Sequence, residues 1–587
     1  MRKKVALLLA IILLVAIFGA CNKTGSDTGP STSDPTGNGS TATIAPTDNV
    51  PEETGPYNLA AGKYEVDVNG VPTGNYAYDL PLSTTDEVFT EWTTPIIADE
   101  IPETGAEDMT YFKAAREMTG VNIEYLMISW ADRATNFSVL LASDDLPDLI
   151  TNGNLYYTGT LQQAVDDGFY ANLYDYKEYM PNYYRSIFAH PEDINVQATI
   201  MPYPETIYVF YCEYGEWQTR DCLAARGDWL DRLGMTNEDI VTMDDLHNLC
   251  MLFKTEIDGC TSPFLLFNTL DPHSSFTAFD TLCHANISVV APQYILDGQV
   301  QFANSGPNDL KFMTMINQWW NDGLFQPEWL SSDGTGTPAI REALSTGTMG
   351  IMGCIASEAA DFGGGNNSDP NAYFVPIRKP VLYEGQVFHL GDVRSWFSLG
   401  AWALSAKCAN LPLLVSYCDW FYSDEGVTFS NWGVEGFSFE YNENGERQLT
   451  EFIYKHPYGL ATALIQHTLN EVCDGGRIYA SRSYAYPGGE VLAAFSPFWD
   501  DPDHYRYDGT MQWPPAVNIS PEDNARIAQL GADIKTYIAE NYLQFVDNSK
   551  PLSEWDSYVD GLQNLGWEEA RLIYQKSYDE FMERFGG

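Results

Sequence analysis

The stretch VNIEYLMISWADRATNFSVLLASDDLPDLIT (121–151) decides the fold, because strand and helix patterns alternate within it at short spacing. Residues 121–129 combine branched and aromatic side chains, which favour a strand. Residues 131–143 have the apolar spacing of a helix, and residues 148–151 form a short apolar run typical of a buried strand. The stretch therefore predicts the order strand, helix, strand.

The same alternation begins upstream of this stretch. Residues 88–92 predict a strand, and residues 109–120 predict a helix that ends at Gly120, a good helix stop. Strands that alternate with helices are typical of parallel sheets covered by helices. The segment from 88 to 151 therefore predicts an α/β lobe.

Helical patterns dominate after about residue 200. The segment 228–256 contains two helices broken at Gly234, and Thr242 begins the second with an acidic residue three places on, a variant of the capping box. Residues 309–323 predict a helix with one apolar stripe, and the C-terminal segment is helical as well. We interpret the apolar and aromatic stripes of these helices as core surfaces.

Length and charge limit the function. A chain of 587 residues is too long for one hydrophobic core, so two or more domains are expected. The formal net charge is −50, from 31 Lys and Arg against 81 Asp and Glu, and such a field repels phosphate backbones and anionic lipid surfaces. This charge argues against nucleic-acid binding and indicates solubility outside a cell, with attraction of cationic ligands as the alternative.

The N-terminus carries targeting information. A cationic start precedes an apolar stretch at 5–20, which is somewhat short for the roughly 20 residues that a spanning helix needs. The stretch ends in Phe-Gly-Ala-Cys (18–21) and resembles a bacterial lipobox, with Phe18 in place of the usual Leu. The resemblance implies a signal peptide at 1–20 and a diacylated Cys21. The alternative is an uncleaved signal anchor.

A polar segment follows this cysteine. Residues 21–56 are dominated by Gly, Ser, Thr, Pro and Asp, which predicts a disordered tether, and residues 57–85 predict an irregular lead-in. Two acyl chains on one residue supply the double signal that stable anchoring requires. The folded part is therefore expected at the outer face of a bacterial cell membrane, attached through the lipid alone.

Six segments of the folded part line up, in order, with one family. They resemble the extracellular solute-binding proteins of bacterial ABC transporters, in the large sugar-type (family 1) lipoprotein branch, and together they span nearly the whole folded part. The segments are SDDLPDLI (143–150), ARGDWLDRLGMTNEDIVTMDDL (225–246), DLKFMTMINQWWNDGLFQPEWL (309–330), WALSAKCANLPLLVSYCDWFYSDEG (402–426), NWGVEGFSFEYNENGERQLTE (431–451) and LSEWDSYVDGLQNLGWEEARLIYQKSYDEF (552–581).

The resemblance implies a two-lobed periplasmic-binding-protein-like (type II) fold. Two α/β lobes are then joined by a hinge and enclose a ligand cleft, and the ligand favours the closed state through contacts made only there. The expected boundaries are 86–200 with 338–405 for the first lobe, and 201–337 with 406–587 for the second. The implied function is capture of a saccharide by a monomer and its delivery to ABC permease subunits, with no cofactor and no catalysis.

A saccharide cleft needs aromatic platforms for C–H faces and polar side chains for hydroxyls, placed in loops. Trp432 and Glu435 belong to N-W-G-V-E-G, in which two glycines allow a tight turn. The family's matching segment lies near the cleft, which makes both residues candidates for ligand binding. The alternative for both is ordinary packing.

Two further candidates follow predicted strands. Asn152 comes directly after the strand at 148–151, and Trp130 comes directly after the strand at 121–129. Ligands in open α/β sheets gather beyond the carboxyl ends of strands. Both residues are therefore predicted to contact the ligand.

Two loops complete the set of candidates. Asp392, Arg394 and Trp396 end a loop before an apolar strand and suit a hydroxyl-rich ligand. Glu213 and Trp217, in YCEYGEWQTR, belong to an insertion relative to the family pattern, which lines the cleft or lies outside it.

One segment resembles a calcium loop. Residues 440–451 match an EF-hand at positions one, three, five, six and twelve, but Glu stands at the first position and no paired helices flank it. Asn444-Gly445 is also the strongest short signal for a hairpin turn. We predict a hairpin and no metal site.

Enzyme motifs are missing from the sequence. It contains no G-x-S-x-G elbow, no H-E-x-x-H and no phosphate-binding Walker loop. The remaining alternatives are a glycoside-active enzyme, a carbohydrate adhesin or receptor without a transporter, and a binding protein for a peptide or another polar solute. The ten cysteines include no C-x-x-C pair, and their spacing leaves any disulfide pairing open.

Overall fold

Two β-sheets covered by helices form the framework of the chain from residue 55 onward. The structure, a computed structural model, describes residues 55–94, 98–129, 132–157, 159–216, 219, 221–270, 275–283, 292–331, 338–363, 367–391, 396–468 and 475–586. The predicted α/β fold class is confirmed.

The strands are short, and their bounds in chain order are as follows. They are β1 (Val88–Thr93), β2 (Asn122–Met127), β3 (Leu149–Thr151), β4 (Phe210–Tyr214), β5 (Asp221–Arg226), β6 (Ser262–Phe264), β7 (Gln293–Leu296), β8 (Gln299–Phe302), β9 (Met349–Ile355), β10 (Phe374–Ile377), β11 (Val387–Phe388), β12 (Phe397–Leu404), β13 (Phe439–Tyr441), β14 (Arg447–Leu449), β15 (Gly476–Ile478) and β16 (Arg506–Tyr507).

The α-helices range from single turns to the long helices near the C-terminus. They are α1 (Thr110–Thr119), α2 (Arg133–Ser143), α3 (Gly153–Tyr156), α4 (Leu161–Asp166), α5 (Pro181–Ser186), α6 (Ile194–Ile200), α7 (Gly227–Leu233), α8 (Met243–Glu256), α9 (Pro307–Asn321), α10 (Pro338–Ser345), α11 (Ala356–Asp361), α12 (Leu411–Trp420), α13 (Asp424–Trp432), α14 (Glu451–Tyr454), α15 (Leu460–His467), α16 (Glu490–Ala493), α17 (Phe495–Trp499), α18 (Pro521–Asn541), α19 (Trp555–Asn564) and α20 (Trp567–Phe585).

The first sheet has six strands in the order β15-β4-β12-β3-β1-β2. β1 pairs in parallel with β2 and β3, as the alternation of strands and helices predicts. Gly120 ends α1 in the left-handed region with φ 68°, which confirms the predicted helix stop. The buried side chains of this sheet pack against α12, which is buried along nearly its whole length.

The second sheet has four strands in the order β10-β5-β9-β6. Its apolar face joins one large core with α8, α9 and the C-terminal helices α18–α20. The predicted break at Gly234 separates α7 from α8, and Thr242 and Asp245 form the predicted capping box. In α9, Met313 and Ile316 are fully buried, so the apolar stripe is a core surface as expected.

The distribution of strands between the two sheets differs from the expected lobe boundaries. β9 and β10, expected in the first lobe, belong to the four-stranded sheet, whereas β4 and β15, expected in the second, belong to the six-stranded sheet. The chain leaves the first sheet after β4, returns at β12 and leaves again after β15. These crossings adjoin short strands without a linker-like composition, so the sequence does not mark them.

The segment 440–451 forms the predicted hairpin. β13 and β14 pair antiparallel, and Gly445 lies in the turn with φ 78°. The side chain of Asn442 accepts hydrogen bonds from the backbone N–H groups of Asn444 and Glu446, which fixes the turn. The hairpin interpretation is confirmed, and the paired helices of an EF-hand do not flank this turn.

Two further features concern the described part of the chain. None of its helices combines the length and the apolar character that crossing a membrane requires. It contains eight cysteines with thiol side chains, and seven of them are buried. The buried thiols pack as small apolar side chains in both cores.

Candidate functional site

The carboxyl ends of five strands of the six-stranded sheet meet at one edge. β12 runs antiparallel to both β3 and β4, so β4 and its parallel neighbour β15 run in the same direction as β1, β2 and β3. Ligands of open α/β sheets gather at such an edge. We call it the ligand edge.

The predicted site segments adjoin the ligand edge. Asn152 directly follows β3, Glu213 lies one residue before the end of β4, and Trp396 directly precedes β12. Four other candidates lie outside the described residues: Trp130, Trp217, Asp392 and Arg394.

Asn152 carries a buried acceptor without a partner. The residue lies in the left-handed region with φ 60°, and its backbone N–H donates to the carbonyl oxygen of Ala401 at 2.8 Å. Its side chain is buried, with the residue 2% exposed, and Oδ1 accepts no hydrogen bond from the part of the chain that the structure describes. A buried acceptor left unpaired costs about 1–3 kcal/mol, which a donor from a ligand offsets.

Glu213 forms an ion pair within the sheet. It lies opposite Arg477 on the neighbouring strand, and a Glu213 carboxylate oxygen is 3.1 Å from Nη2 of Arg477. Their side chains are only 5% and 14% exposed. Burial is the largest single influence on the pKa of Arg477 and lowers it, but the charge and the hydrogen bond of Glu213, together with Tyr479 and Tyr422, outweigh burial and raise the pKa, so the guanidinium stays charged. Glu213 therefore holds Arg477 in place at the ligand edge.

A cleft of about 660 Å³ opens beside β15. Trp432 and Asn431, at the end of α13, line one part of it, and Arg477, Tyr479 and Arg482 line another. This volume lies in the usual range for small-molecule sites. The lining combines two aromatic rings with hydrogen-bonding groups, the combination that a polyhydroxylated ligand needs.

Asn431 joins the two sides of this cleft. Its side-chain Nδ2 donates to the carbonyl oxygen of Arg477 at 2.8 Å, and its Oδ1 accepts the backbone N–H of Tyr479 at 2.8 Å. The end of α13 is thereby fixed to β15. Gly215 adds to the fit, because a Cβ there would lie 2.3 Å from the Tyr479 ring. Tyr479 itself is 37% exposed and available to a ligand.

Trp432 and Glu435 have different surroundings. Trp432 is half-buried: part of its ring packs against a small apolar cluster that includes Leu449 and Leu464, and the residue also lines the cleft. Glu435 is exposed on the following turn, outside the cleft lining. The backbone of Gly433, with φ 74°, redirects the chain between them and separates the two side chains.

Trp396 is held by packing on one side. The ring of His190 stacks on it at 3.7 Å between centroids and 9° between planes. The backbone carbonyl oxygen of Trp396 accepts a hydrogen bond from the backbone N–H of Tyr214 at 2.8 Å, which continues the hydrogen-bond ladder between β12 and β4. One face of the ring is therefore covered, and a ligand contact of Trp396 stays a prediction.

The sequence analysis missed Asn431, Arg477, Tyr479 and Arg482. Arg477 and Tyr479 belong to or follow β15, a three-residue strand with no readable periodicity. The strong neighbouring signal was N-W-G, and Asn431 is its first residue. Its amide would have been a candidate on that ground alone.

The chain resembles known substrate-binding proteins over most of its length. It is 25% identical over 503 residues to the fructooligosaccharide ABC transporter substrate-binding protein FusA of Streptococcus pneumoniae, covering 79% of this chain and 85% of that protein. No family model matches the chain.

Solved structures share the fold. The alginate-binding protein AlgQ2, in a calcium-free crystal structure, has a TM-score of 0.62 at 19% identity over 84% of this chain and 99% of that one. An HMO-binding, ABC-transporter-associated solute-binding protein from Bifidobacterium longum infantis has a TM-score of 0.61 at 18% identity over 84% of this chain and 98% of that one.

Proposed function

We propose that this chain is a sugar-type extracellular solute-binding protein of a bacterial ABC transporter and that it captures an oligosaccharide for an ABC permease. The cleft beside β15 is the observation that carries this proposal. Its two aromatic rings, Trp432 and Tyr479, offer platforms for sugar C–H faces, and Asn431 and Arg477 offer polar groups for hydroxyls. We propose that binding occurs without hydrolysis and that the protein acts as a monomer.

The nature of the relatives guides the choice of ligands. FusA is named for fructooligosaccharides and has been solved with kestose, so kestose and nystose are the first ligands to test. Alginate and HMO ligands are tested next, because the structural relatives are named for binding them. Simple monosaccharides and a short peptide serve as controls for the size and the class of the ligand.

The proposal is tested by thermal unfolding and calorimetry of the purified folded part. A ligand that binds only the folded state stabilises it and so raises the melting temperature. At a ligand concentration one hundred times the dissociation constant, the free energy of unfolding increases by about 2.7 kcal/mol. We expect at least one oligosaccharide to do so, with no release of reducing sugar during long incubation. A response to peptide alone would contradict the saccharide assignment, and release of reducing sugar would contradict the proposal of binding without hydrolysis.

Trp432→Ala is expected to weaken oligosaccharide binding at least tenfold, about 1.4 kcal/mol, because the variant loses an aromatic platform. The melting temperature should fall modestly, since part of the ring packs against the apolar cluster beneath it. Calorimetry measures the binding loss. Trp513→Ala is the matched control, because Trp513 is a half-buried tryptophan that packs on Tyr574 instead.

Unchanged binding by Trp432→Ala, together with a large loss of stability, would assign the ring to the core alone. Equal loss of binding in Trp513→Ala would show that the effect is not local to the cleft.

We further propose that Cys21 is diacylated and anchors the protein at the outer face of the cell membrane. Cys21→Ala is expected to release the protein into the medium or to leave it unprocessed with its signal peptide. Fractionation of cells and mass spectrometry of the N-terminus measure both outcomes. Normal processing with full membrane retention of the variant would contradict the lipid anchor.

A further inference from the structure

Two histidines and one glutamate converge away from the cleft lining. Glu100 ends a short 3-10 helix (Ala98–Glu100) after β1, His456 follows α14, and His467 ends α15. Nε2 of His456 is 2.9 Å from Oε1 of Glu100, and Nε2 of His467 is 3.1 Å from Oε2. Each of the three residues offers one atom that could ligate a metal ion, and these three atoms all lie within 4.8 Å of one another.

Both imidazoles are almost completely buried. The side chains of His456 and His467 are 1% and 7% exposed, whereas that of Glu100 is 26% exposed. The Phe452 ring lies 5.2 Å from the His456 ring and 5.0 Å from the His467 ring, and Phe437 lies 5.4 Å from His467. The polar atoms therefore meet inside an apolar shell that is more open to solvent on the side of the Glu100 carboxylate. An apolar shell of this kind limits solvent access at metal sites.

The contact between His467 and Glu100 is close but poorly aligned for a hydrogen bond. Nε2 of His467 and Oε2 of Glu100 lie 3.1 Å apart, yet neither of these buried atoms has a well-aligned hydrogen-bond partner among the described residues. Two buried polar atoms that lie close together without a well-aligned hydrogen bond destabilise the folded state unless another group interacts with them. The same arrangement is favourable if both atoms face a shared cation.

The distances suit a small tetrahedral ion. Ligand atoms about 2.1 Å from a tetrahedral Zn²⁺ are about 3.4 Å apart, so the two histidine contacts to Glu100, at 2.9 and 3.1 Å, need to open by about 0.3–0.5 Å. Imidazole nitrogens favour zinc and similar transition metals, whereas Ca²⁺ takes oxygen ligands. We propose that Glu100, His456 and His467 bind one Zn²⁺-type divalent ion.

Metal binding changes one hydrogen bond in the cluster. The backbone N–H of Tyr458 donates to Nδ1 of His456 at 3.4 Å, which places the proton of a neutral His456 on Nε2. Coordination through Nε2 requires that proton to move to Nδ1, and the contact to Tyr458 then opens. At 3.4 Å this contact is beyond the usual hydrogen-bond length, so little is lost.

The site joins parts of the chain that are distant in sequence. Glu100 belongs to the segment after β1 at the ligand edge, whereas α14 and α15 supply Ile453 and Leu464 to the apolar cluster against which Trp432 packs. A metal ion held between them fixes these helices to that segment. Its role is structural, and its existence does not depend on which solute the cleft binds.

The test is zinc binding by the purified chain after chelator treatment and desalting. Because the chain carries many exposed carboxylates, the titration against a chromophoric zinc indicator is done in excess Ca²⁺ and Mg²⁺, which occupy nonspecific oxygen sites. We expect one Zn²⁺ per chain, a higher melting temperature, and visible d–d absorption when Co²⁺ replaces Zn²⁺.

The variants locate the site. His467→Gln and Glu100→Gln are expected to lose the stoichiometric binding, and the second keeps the buried histidines intact in case the first folds poorly. His247→Gln is the matched control, because His247 also lies 2.9 Å from a carboxylate, that of Asp322, and it should retain full binding. No stoichiometric uptake by the wild type, or equal uptake by the His467 and Glu100 variants, would overturn the proposal.

Discussion

Asp419→Ala is expected to lower the free energy of unfolding by about 3–5 kcal/mol, because each buried donor left unpaired costs about 1–3 kcal/mol. Asp419 is fully buried in α12 and accepts four hydrogen bonds. The donors are the backbone N–H groups of Tyr183 (2.7 Å) and Asn182 (3.2 Å), the Asn182 side chain (2.9 Å) and the Tyr78 hydroxyl (2.8 Å). Denaturant unfolding measures the loss.

The control is Asp560→Ala, an exposed aspartate on α19, which should change stability by no more than about 0.5 kcal/mol. The position of Asp419 explains the contrast, since it joins the lead-in before β1, helix α5 and helix α12 at one point. A loss below about 1 kcal/mol for Asp419→Ala would mean that the four donors find other partners.

The same carboxyl group should make stability depend on pH. Burial raises the pKa of Asp419 to about 7, although the donors from Tyr183, Tyr78 and Asn182 act to lower it. In the unfolded chain its pKa is about 3.9, so the folded state binds the proton more tightly between about pH 4 and pH 7. Wild type should therefore gain stability relative to Asp419→Asn as the pH falls from 8 to 5. A constant difference between the two proteins would contradict the raised pKa.

The second large effect concerns the ion pair behind the cleft. Arg477→Met is expected to destabilise the folded state by about 3–5 kcal/mol, because it leaves the Glu213 carboxylate buried without its partner. The double variant Glu213→Leu/Arg477→Met should regain most of that loss, since an apolar pair needs no compensation for buried charge. Denaturant unfolding of both variants and of Glu213→Leu completes the double-mutant cycle.

The double variant also separates stability from ligand binding. If Arg477 contacts the saccharide, the double variant folds yet binds at least tenfold more weakly, about 1.4 kcal/mol. Arg526→Met is the control, because Arg526 also pairs with a carboxylate, that of Glu569, but lies outside the cleft lining, so this variant should keep full ligand affinity. Full ligand affinity in the double variant would restrict Arg477 to a structural role, and lack of any recovery of stability would contradict the ion-pair assignment.

Local signals predicted the first half of the six-stranded sheet well. The spacing of apolar side chains along the sequence predicted the bounds of α1, β2, α2 and β3 to within two residues. Gly120 and Gly234 end their helices as expected. Each of these features is encoded by residues that are neighbours in sequence. The fold class followed from them.

Features that depend on distant pairing could not be predicted in this way. The carboxylate of Glu213 suits hydrogen bonding to a ligand, but its observed partner is Arg477. That residue is 264 positions away in the sequence and lies on a strand of three residues. The sheet to which each strand belongs was hidden for the same reason, because β4 and β15 join the first sheet only through pairing with each other and with β12. Trp432 was found from its glycine-rich surroundings, whereas Glu435 in the same motif faces solvent.

The position of β12 has a consequence for how the molecule is made. This strand lies between β3 and β4, although about 180 residues, including the whole four-stranded sheet, separate it from β4 in the chain. During synthesis or export, β3 and β4 emerge long before the strand that unites them, and closing so long a loop is entropically unfavourable. We therefore expect the N-terminal portion to keep exposed strand edges until the later residues arrive, which would make its assembly slow and sensitive to aggregation.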